Sequence, residues 1–389
     1  MRTIYLDNAA TTPIDPDVRA AMQPWLAEGF HNPSSRYPDG LRAAEAIERA
    51  RAFVARATGA RTKNVTFTAG GTEANNLAVF GLARRRARKV AGESPRIIIG
   101  PTEHPSVSRS ASALEREGFE LCTVGLDDDG RLDLDALDNL LSPNTVLVSQ
   151  MFVNNEFGSI YPVAEVAART RSKAPHAAVH VDAVQALGKL DLSIEDLGVD
   201  SLAISAHKVH GPKGVGSLVT AEVVVFDPLL YGGGQEGGRC SGTENVAGIV
   251  GWGEAARLAD AHMETSASQY AGLRAELAQH LRAVEGVHLI ETGDGASQSD
   301  AVCSVAFPGP PGEVWQHHLE AHGVLVSIGS ACQAKTKEVS PALLALGLSA
   351  EDARQVLRLS FARTTTVEEV REAGRVIAAV AGELKVVEH

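Results

Sequence analysis

The amino-acid sequence predicts an α/β protein, with a large domain built on a mainly parallel sheet flanked by helices and a smaller α+β domain. Short apolar segments alternate with helical patterns through the first two thirds of the chain, as in sheets whose parallel strands are joined by helices. We see no internal repeat at the period of about 20–50 residues that marks solenoids and propellers. The predicted strands of the large domain are 64–68, 96–100, 145–149, 178–182, 201–205 and 216–219.

The helical patterns and a change in composition divide the chain. Residues 40–58 form an amphipathic, alanine-rich pattern, and a glycine-rich stretch occupies 231–238. Near residue 262 the pattern changes to a long helix followed by shorter strands. These later strands are predicted at 301–307, 324–327 and 355–361. We therefore expect residues 16–261 to form the large domain, and residues 1–15 with 262–389 to form the small one.

Composition narrows the classes of function. The chain has 389 residues, 44% of them hydrophobic, and a net charge of −12. This acidic balance argues against direct binding to nucleic acid or membranes. The N-terminal segment lacks the apolar core of a signal peptide, and no run approaches the ~18–20 apolar residues that cross a bilayer. Four cysteines make no disulfide framework, and no zinc-ligand spacing is present. We expect a cytoplasmic protein without a metal, in which a thiol stays reduced.

Two residues with complementary chemistry follow neighbouring predicted strands. Asp182 ends the strand 178–182, and Lys208 comes directly after the strand 201–205. Open α/β sheets bind ligands at the carboxyl ends of their strands, so the two side chains would meet at one site. Alone, each also fits a helix cap or a surface lysine. Together with Gln185 they favour pyridoxal phosphate, which needs a Schiff-base lysine and a carboxylate for its ring nitrogen.

A phosphate site is predicted at the start of a helix. The segment Gly70–Glu73 follows a strand and opens a helical pattern, where backbone N–H groups and the helix dipole favour an anion. Thr72 can add a hydroxyl donor, and Ser205 and His207 lie at the end of a strand that could approach the same phosphate.

Four other residues each admit two interpretations from local sequence. His104 follows a strand, where an imidazole can stack on a flat ring or simply occupy a loop. Asn155 fits either a ligand donor or a turn. Cys332 lies on a loop of small residues, where its thiol could act as a nucleophile or pack as a small apolar side chain. Arg358 interrupts an apolar alternation, which suits either a substrate carboxylate or an internal ion pair.

Together these segments resemble the cysteine desulfurases, a branch of the class V aminotransferases of the nitrogen-fixation and iron–sulfur type. Ten motifs in the family's order are far more specific than any one of them, and they extend along almost the whole chain. They are Tyr5–Pro13, Asn32–Ser35, Phe67–Asn76, Thr102–His104, Val153–Gly158, Val179–Gln185, Ser205–Gly216, Ser241–Asn245, Gly329–Cys332 and Arg358–Thr366. The resemblance implies the fold type I of pyridoxal-phosphate-dependent transferases, with a seven-stranded sheet in the large domain.

The resemblance also implies a role for each candidate residue. Lys208 would carry pyridoxal 5′-phosphate, and Cys332 would accept sulfur from L-cysteine, with Lys208 and His104 as further catalytic residues. The other cofactor contacts would be Asp182 at the ring nitrogen, Gln185 at the ring hydroxyl with Asn155 nearby, His104 stacked on the ring, Gly71, Thr72, Ser205 and His207 at the phosphate, and Thr243 from a second subunit. The substrate carboxylate would be held by Arg358 and Asn155, with Asn32 close by. A role for Thr243 across subunits implies a homodimer.

The implied reaction converts L-cysteine to L-alanine and leaves a persulfide on Cys332, for transfer to an acceptor protein. Iron–sulfur cluster assembly is the default destination, and thiolation of tRNA or of DNA are others. Alternative hypotheses are another class V enzyme, such as an aminotransferase or selenocysteine lyase, and a non-catalytic scaffold. The chain departs from the family at Gly237 and Cys240, where arginines are usual, and in the charged residues that follow Cys332.

Overall fold

The structure, a computed structural model, describes residues 3–90, 92–222, 224–292, 298–329 and 339–387, without the side chains of 385–387. Its strands are β1 (Ile4–Tyr5), β2 (Val65–Thr68), β3 (Arg96–Ile99), β4 (Glu120–Thr123), β5 (Thr145–Ser149), β6 (Ala178–Asp182), β7 (Ser201–Ser205), β8 (Gly216–Thr220), β9 (His288–Ile290), β10 (Val302–Ala306), β11 (Val324–Leu325) and β12 (Val356–Ser360). Its α-helices are α1 (Pro16–Leu26), α2 (Pro38–Arg56), α3 (Gly71–Ala87), α4 (Pro105–Glu115), α5 (Leu134–Leu140), α6 (Val163–Lys173), α7 (Ile194–Leu197), α8 (Val246–Leu281), α9 (Gly312–Ala321), α10 (Pro341–Ala345), α11 (Ala350–Arg354) and α12 (Val367–Val387).

A seven-stranded sheet in the order β2-β8-β7-β6-β5-β3-β4 forms the centre of the larger part of the protein. Strand β8 runs antiparallel to both of its neighbours, whereas the other paired strands are parallel. The carboxyl ends of β2, β3, β5, β6 and β7 therefore lie at one edge of the sheet. This architecture confirms the predicted fold class, and β5, β6 and β7 begin and end at the predicted residues.

Alternation along the strands determines what each face of this sheet contacts. Val179 and Val181 pack in a core with Trp252 of α8 and with α2. Ala178, in contrast, packs in a core with α3, which includes Leu77. Because strand side chains alternate between faces, the polar residues of β6 at positions 180 and 182 share the α3 face with Ala178. In this register, the side chains at positions 180 and 182 can form hydrogen bonds with polar residues of α3.

The smaller part contains an antiparallel sheet, β12-β10-β9, and a parallel pair, β1 and β11. Its apolar core joins these strands to α9 and α12, and also to Leu273, Leu277 and Leu281 of α8. Helix α8 thus contributes its first half to the core of the large sheet and its second half to the small core. The change in sequence pattern predicted near residue 262 falls inside this continuous helix.

The strands that sequence reasoning did not predict are short or lie at edges. Strand β1 has two residues, and β4 is an outer strand of the large sheet with no buried residue. Such segments carry little of the apolar periodicity from which strands are predicted. In the part of the chain that the structure describes, no helix is long and apolar enough to span a membrane.

Candidate active site

A cavity of about 850 Å³ opens at the carboxyl edge of the large sheet, closed on one side by residues 9–11 and Arg358 of the smaller part. Most of the candidate residues line it: Gly71, Thr72, His104, Asn155, Asp182, Gln185, Ser205, His207, Lys208 and Arg358. Asn32 and Thr243 do not line this cavity, and Cys332 lies outside the described residues.

Lys208 enters the cavity from the turn that follows β7. A short 3₁₀ turn over Ala206–Lys208 ends the strand, and the Lys208 amine donates to the carbonyl oxygens of Ala9 at 2.6 Å and Ala10 at 2.8 Å. These contacts hold Nζ between the sheet edge and the N-terminal segment. The amine therefore lies against the opening where a ligand would bind.

Asp182 is held by a chain of buried hydrogen bonds on the α3 face of the sheet. Asn75 of α3 donates from Nδ2 to Asp182 Oδ2 at 2.7 Å, and Asn75 Oδ1 lies 3.0 Å from Nε2 of His180. The other ring nitrogen of His180 lies 2.8 Å from Ser201 Oγ. The backbone N–H of Val184 donates to the second carboxylate oxygen at 3.0 Å. Asp182 is thus fixed in position and kept as an acceptor.

The same chain fixes the protonation of His180. Burial lowers the pKa of His180 from its ordinary value of 6.5 to about 3. Asp182 requires a donor from Asn75, which leaves the Asn75 oxygen to face His180. His180 therefore carries its proton on Nε2 and accepts from Ser201 at Nδ1.

A neutral buried His180 predicts a pH-dependent stability. The unfolded chain binds a proton at His180 below about pH 6.5, whereas the folded chain binds it only near pH 3. Stability from this residue is thus present above pH 6.5 and is lost as the pH falls, by about 2 kcal/mol between pH 7 and pH 5. We expect His180→Gln, which keeps a donor for Asn75 but does not titrate, to lose less stability over that interval.

Urea unfolding of the cofactor-free protein at pH 7 and pH 5 measures this difference. Burial raises the pKa of Glu103 well above its usual range, an effect that acts in the opposite direction. The quantity to compare is therefore the loss of unfolding free energy from pH 7 to pH 5 in the unaltered protein and in His180→Gln. Equal losses of stability in both proteins would contradict the assignment of a neutral His180.

The start of α3 and the end of β7 form a cradle of donors. Gly70 precedes the helix with φ of 150°, and a Cβ on Gly71 would lie 2.7 Å from Val184 Cγ2. Ser205 Oγ is buried without a hydrogen-bond partner among the described residues. His207 Nδ1 lies 3.2 Å from Thr11 Oγ1, and burial lowers the pKa of His207 to about 4. The cradle offers neutral donors and a helix N-terminus to an anion.

His104 caps helix α4 beside this cradle. Its Nδ1 accepts from the backbone N–H of Ser106 at 3.1 Å and lies 2.7 Å from Ser106 Oγ. Burial lowers the pKa of His104, and the charge of Lys208 acts in the same direction, against Asp182. Because Nδ1 is an acceptor, the neutral ring carries its proton on Nε2. A flat, neutral imidazole thus lines the cavity.

Arg358 forms the internal ion pair that one of the two interpretations of the sequence predicted. It is only 2% exposed, and its guanidinium pairs with Asp7 at 2.7 Å and donates to the Asn155 carbonyl at 2.9 Å. Its Nε has no partner among the described residues. Arg358 therefore forms an internal ion pair and also lines the cavity.

Of the departures from the family pattern, Cys240 contacts the first turn of α3. Cys240 Sγ is 3.2 Å from Oε1 of Glu73, and burial together with that carboxylate raises the Cys240 pKa to about 12. Gly237 adopts φ of 65° next to Glu236, whose carboxylate forms an ion pair with Arg51. Where the family usually has an arginine, position 240 thus places a neutral thiol next to Glu73.

Several residues of the site were missed by sequence reasoning. Asn75 and His180 lie inside motifs that were recognised, one turn after Gly71 and two positions before Asp182, so helix and strand periodicity could have identified them. Asp7 approaches Arg358 through a pairing of distant segments, which leaves no local signal.

Comparison with known proteins agrees with this geometry. The aminotransferase class-V family model matches residues 4–372. A cysteine desulfurase of Nostoc sp. is 39% identical over 371 residues, covering 95% of this chain and 90% of the relative. A solved structure described as a NifS-like protein has a TM-score of 0.90 and 34% identity, covering 98% of this chain and 100% of that one. Another, SspA in complex with cysteine, has a TM-score of 0.80 and 31% identity, with 94% and 100% covered.

The fold and the cavity define an enzyme of the class V aminotransferase type, a group that depends on pyridoxal phosphate. Within that group, the chain belongs to the cysteine desulfurase family. The resemblance inferred from ten short motifs is therefore confirmed.

Proposed function

We propose that this protein removes sulfur from L-cysteine, releases L-alanine and retains the sulfur as a persulfide on Cys332. The observation that carries the proposal is the meeting of Lys208, Asp182, His104 and Arg358 at one cavity. The relatives named cysteine desulfurase support the choice of reaction, and the structure of SspA with cysteine supports the choice of substrate.

The cavity fits pyridoxal 5′-phosphate. The buried, unpartnered Ser205 Oγ and the glycine start of α3 suit the phosphate, with Thr72 and His207 beside them. The fixed carboxylate of Asp182 suits a protonated ring nitrogen. When bound, the cofactor supplies an electron sink for charge that develops on the substrate Cα.

Other residues would orient the ring and exclude water. Gln185 lines the cavity next to Asp182 and is suited to donate to the ring oxygen. Neutral His104 would cover one face of the ring. Because burial keeps His104 and His207 uncharged near pH 7, neither competes with Lys208 as the cation at the cofactor.

Lys208 would carry the cofactor and move protons. Its Nζ lies against Ala9 and Ala10 in the cavity wall. Once released by the incoming substrate amine, Nζ can take the proton from the substrate Cα. The same amine can then deliver a proton as alanine forms.

Arg358 and Asn155 would bind the carboxylate of L-cysteine. Arg358 lines the cavity, and its buried Nε has no hydrogen-bond partner among the described residues. Guanidinium groups bind carboxylates with paired hydrogen bonds. The ion pair with Asp7 holds the guanidinium in place while that donor remains available.

We expect Arg358→Lys to raise the KM for L-cysteine by about 10- to 100-fold, because lysine keeps the charge but not the planar pair of donors. Cofactor content should stay close to that of the unaltered protein, since the cofactor contacts lie elsewhere in the cavity. Steady-state kinetics and the visible spectrum measure the two quantities. An unchanged KM in a fully loaded variant would restrict Arg358 to its ion pair with Asp7.

Sulfur transfer would proceed through the Cys332 thiolate. The thiolate attacks the substrate Sγ, and the Cβ–Sγ bond breaks with its electron pair passing to Cβ. Protonation of Cβ and return of a proton to Cα would complete alanine, and the sulfur would remain on Cys332 as a persulfide. An acceptor protein would then remove it. Iron–sulfur cluster assembly is the destination we propose, in a reducing cytoplasm.

We extend the proposal to a homodimer in which Thr243 and Asn32 act at or near the partner's cavity. Both residues are exposed. Large apolar side chains are also exposed on this chain, among them Phe30 at 77% and Tyr231 at 82%. We propose that these side chains lie at the contact between the two subunits. We also propose the domain division 16–261 against 1–15 with 262–389, with α8 bridging the two.

The purified protein tests the proposed function directly. We expect a yellow absorption band near ~400 nm from the lysine-bound cofactor, and equal amounts of alanine and sulfide after addition of L-cysteine and a reductant. Colour without sulfide would indicate another class V reaction. A colourless protein that takes up no added pyridoxal phosphate would refute the role of Lys208.

A further inference from the structure

A second lysine lies buried beside the cavity and has no part in the mechanism above. Lys189 is 8% exposed, and its Nζ donates to the backbone oxygen of Gln185 at 3.1 Å and to Gln185 Oε1 at 2.9 Å. In the described ranges no carboxylate forms an ion pair with it. Burial lowers the pKa of Lys189 to about 7, and the charges of Lys208 and Arg358 contribute. An apolar side chain would fill the same space without the cost of burying an amine.

The Lys189 contact is one end of a chain that reaches Lys208. Gln185 Nε2 donates to the Ala9 carbonyl at 2.9 Å, and the Lys208 amine donates to that same oxygen at 2.6 Å. The backbone N–H of Ala9 is in turn held by Ser360 Oγ at 2.8 Å. Gln185 therefore stands between the two lysines, with its amide at the cavity wall.

The chemistry of the two partners decides which way the Gln185 amide faces. The Lys189 amine donates both to the backbone oxygen of Gln185 and to Oε1, so it takes the oxygen end of the amide. A carbonyl has no donor, so Ala9 takes the nitrogen end. The remaining N–H of Gln185 is then left for the cavity. Without Lys189, the amide oxygen would be buried without a donor, and only the Ala9 carbonyl, shared with Lys208, would orient the side chain.

We propose that Lys189 is a positioning residue, which holds the Gln185 amide by its oxygen so that an N–H faces the ring oxygen of the cofactor. This inference rests on the proposed function, because it assumes pyridoxal phosphate in the cavity. Lys189 touches neither substrate nor cofactor, and acts through Gln185 alone.

Binding of two cofactors to the cofactor-free protein tests this role. Pyridoxal 5′-phosphate has the ring hydroxyl, and 3-deoxypyridoxal 5′-phosphate lacks it. We expect Lys189→Met to weaken the first by about tenfold, the equivalent of one hydrogen bond, and the second by less than about twofold. Equilibrium dialysis measures both affinities. Equal weakening of both cofactors would overturn the proposal, since a general structural defect does not distinguish them.

Further variants make the test independent of folding defects. In a Gln185→Leu background, Lys189→Met should change pyridoxal phosphate affinity by less than about twofold, because the group it orients is gone; a tenfold change there would also overturn the proposal. If Lys189→Met does not fold, Lys189→Gln keeps a donor toward Gln185 and should give a smaller loss confined to pyridoxal phosphate. Lys173→Met on the surface is the matched control.

The outcomes separate this inference from the proposed function. If the unaltered protein binds neither cofactor, the proposed function fails. If it binds pyridoxal phosphate and Lys189→Met loses both cofactors equally, only the role of Lys189 fails.

Discussion

Replacing Lys208 by alanine is expected to abolish the yellow band of the purified protein and to lower alanine formation from L-cysteine more than about 1,000-fold. The amine has two roles in the proposed mechanism, as the point of attachment and as the base at the substrate Cα, and loss of general base catalysis alone costs about 10²–10⁴-fold. The protein should still fold, because Lys208 is only partly buried at the cavity wall, where it donates to the backbone carbonyls of Ala9 and Ala10.

Lys213 provides the matched control. It lines the same cavity but is exposed, so Lys213→Ala changes a lysine near the cofactor without removing the amine at the sheet edge. We expect that variant to keep its colour. Visible spectra and alanine assays of both variants measure the difference. A Lys208→Ala protein with the full yellow band and normal turnover would exclude Lys208 as the attachment point.

The sheet could be predicted from sequence because its central strands are short, apolar and separated by helices. Strands β5, β6 and β7 are buried along their whole length. Strands that are buried on both faces consist mainly of apolar residues, and such a run can be recognised in the sequence. The edge strand β4 is half-exposed and has no such run. The start of the smaller part was placed near residue 262 by a change in pattern, but α8 crosses that point, since a helix with two different apolar partners need not end between them.

The candidate site could be predicted where chemistry and strand ends coincide, as for Asp182 and Lys208. The residues that hold these two side chains in place were harder to predict from the sequence. His180 resembles an ordinary polar residue in an apolar strand, and only the register that turns it toward Asn75 of α3 gives it a role. Asp7 and Arg358 are far apart in sequence and form their ion pair because β12 lies beside the N-terminal segment. A single sequence gives no sign that Asp7 and Arg358 lie next to each other in the fold.

Arg358 forms an ion pair with Asp7 and also lines the cavity. The sequence allowed an internal ion pair or a substrate carboxylate, as if the two were exclusive. A guanidinium has five donors, so the Asp7 contact and the Asn155 carbonyl leave capacity at the cavity. In the proposed mechanism, the ion pair with Asp7 holds the guanidinium that would bind the substrate carboxylate.

The second large effect is expected at Cys332, the proposed sulfur acceptor. We expect Cys332→Ser to keep the yellow band and to lower sulfide release and persulfide formation by at least about 100-fold, as for removal of other enzymatic nucleophiles. Cys332 lies outside the described residues, but the chain before it is anchored beside Arg358 at the cavity: Ser327 exchanges backbone hydrogen bonds with Arg358 at 3.1 and 2.7 Å. Cys332 follows Ser327 by five residues, and a chain of that length reaches at most about 18 Å.

Cys122→Ser is the matched control for this prediction. Cys122 is a half-exposed thiol on the outer strand β4, where burial and the nearby Glu120 raise its pKa and disfavour the reactive thiolate. Mass spectrometry after incubation with L-cysteine should find one added sulfur on the unaltered protein and on Cys122→Ser, and none on Cys332→Ser. Alanine formed by the serine variant at the normal rate, with sulfide released directly, would show that the substrate C–S bond breaks without attack by Cys332. The alternative that the thiol only relays sulfur after cleavage would then replace the nucleophilic mechanism.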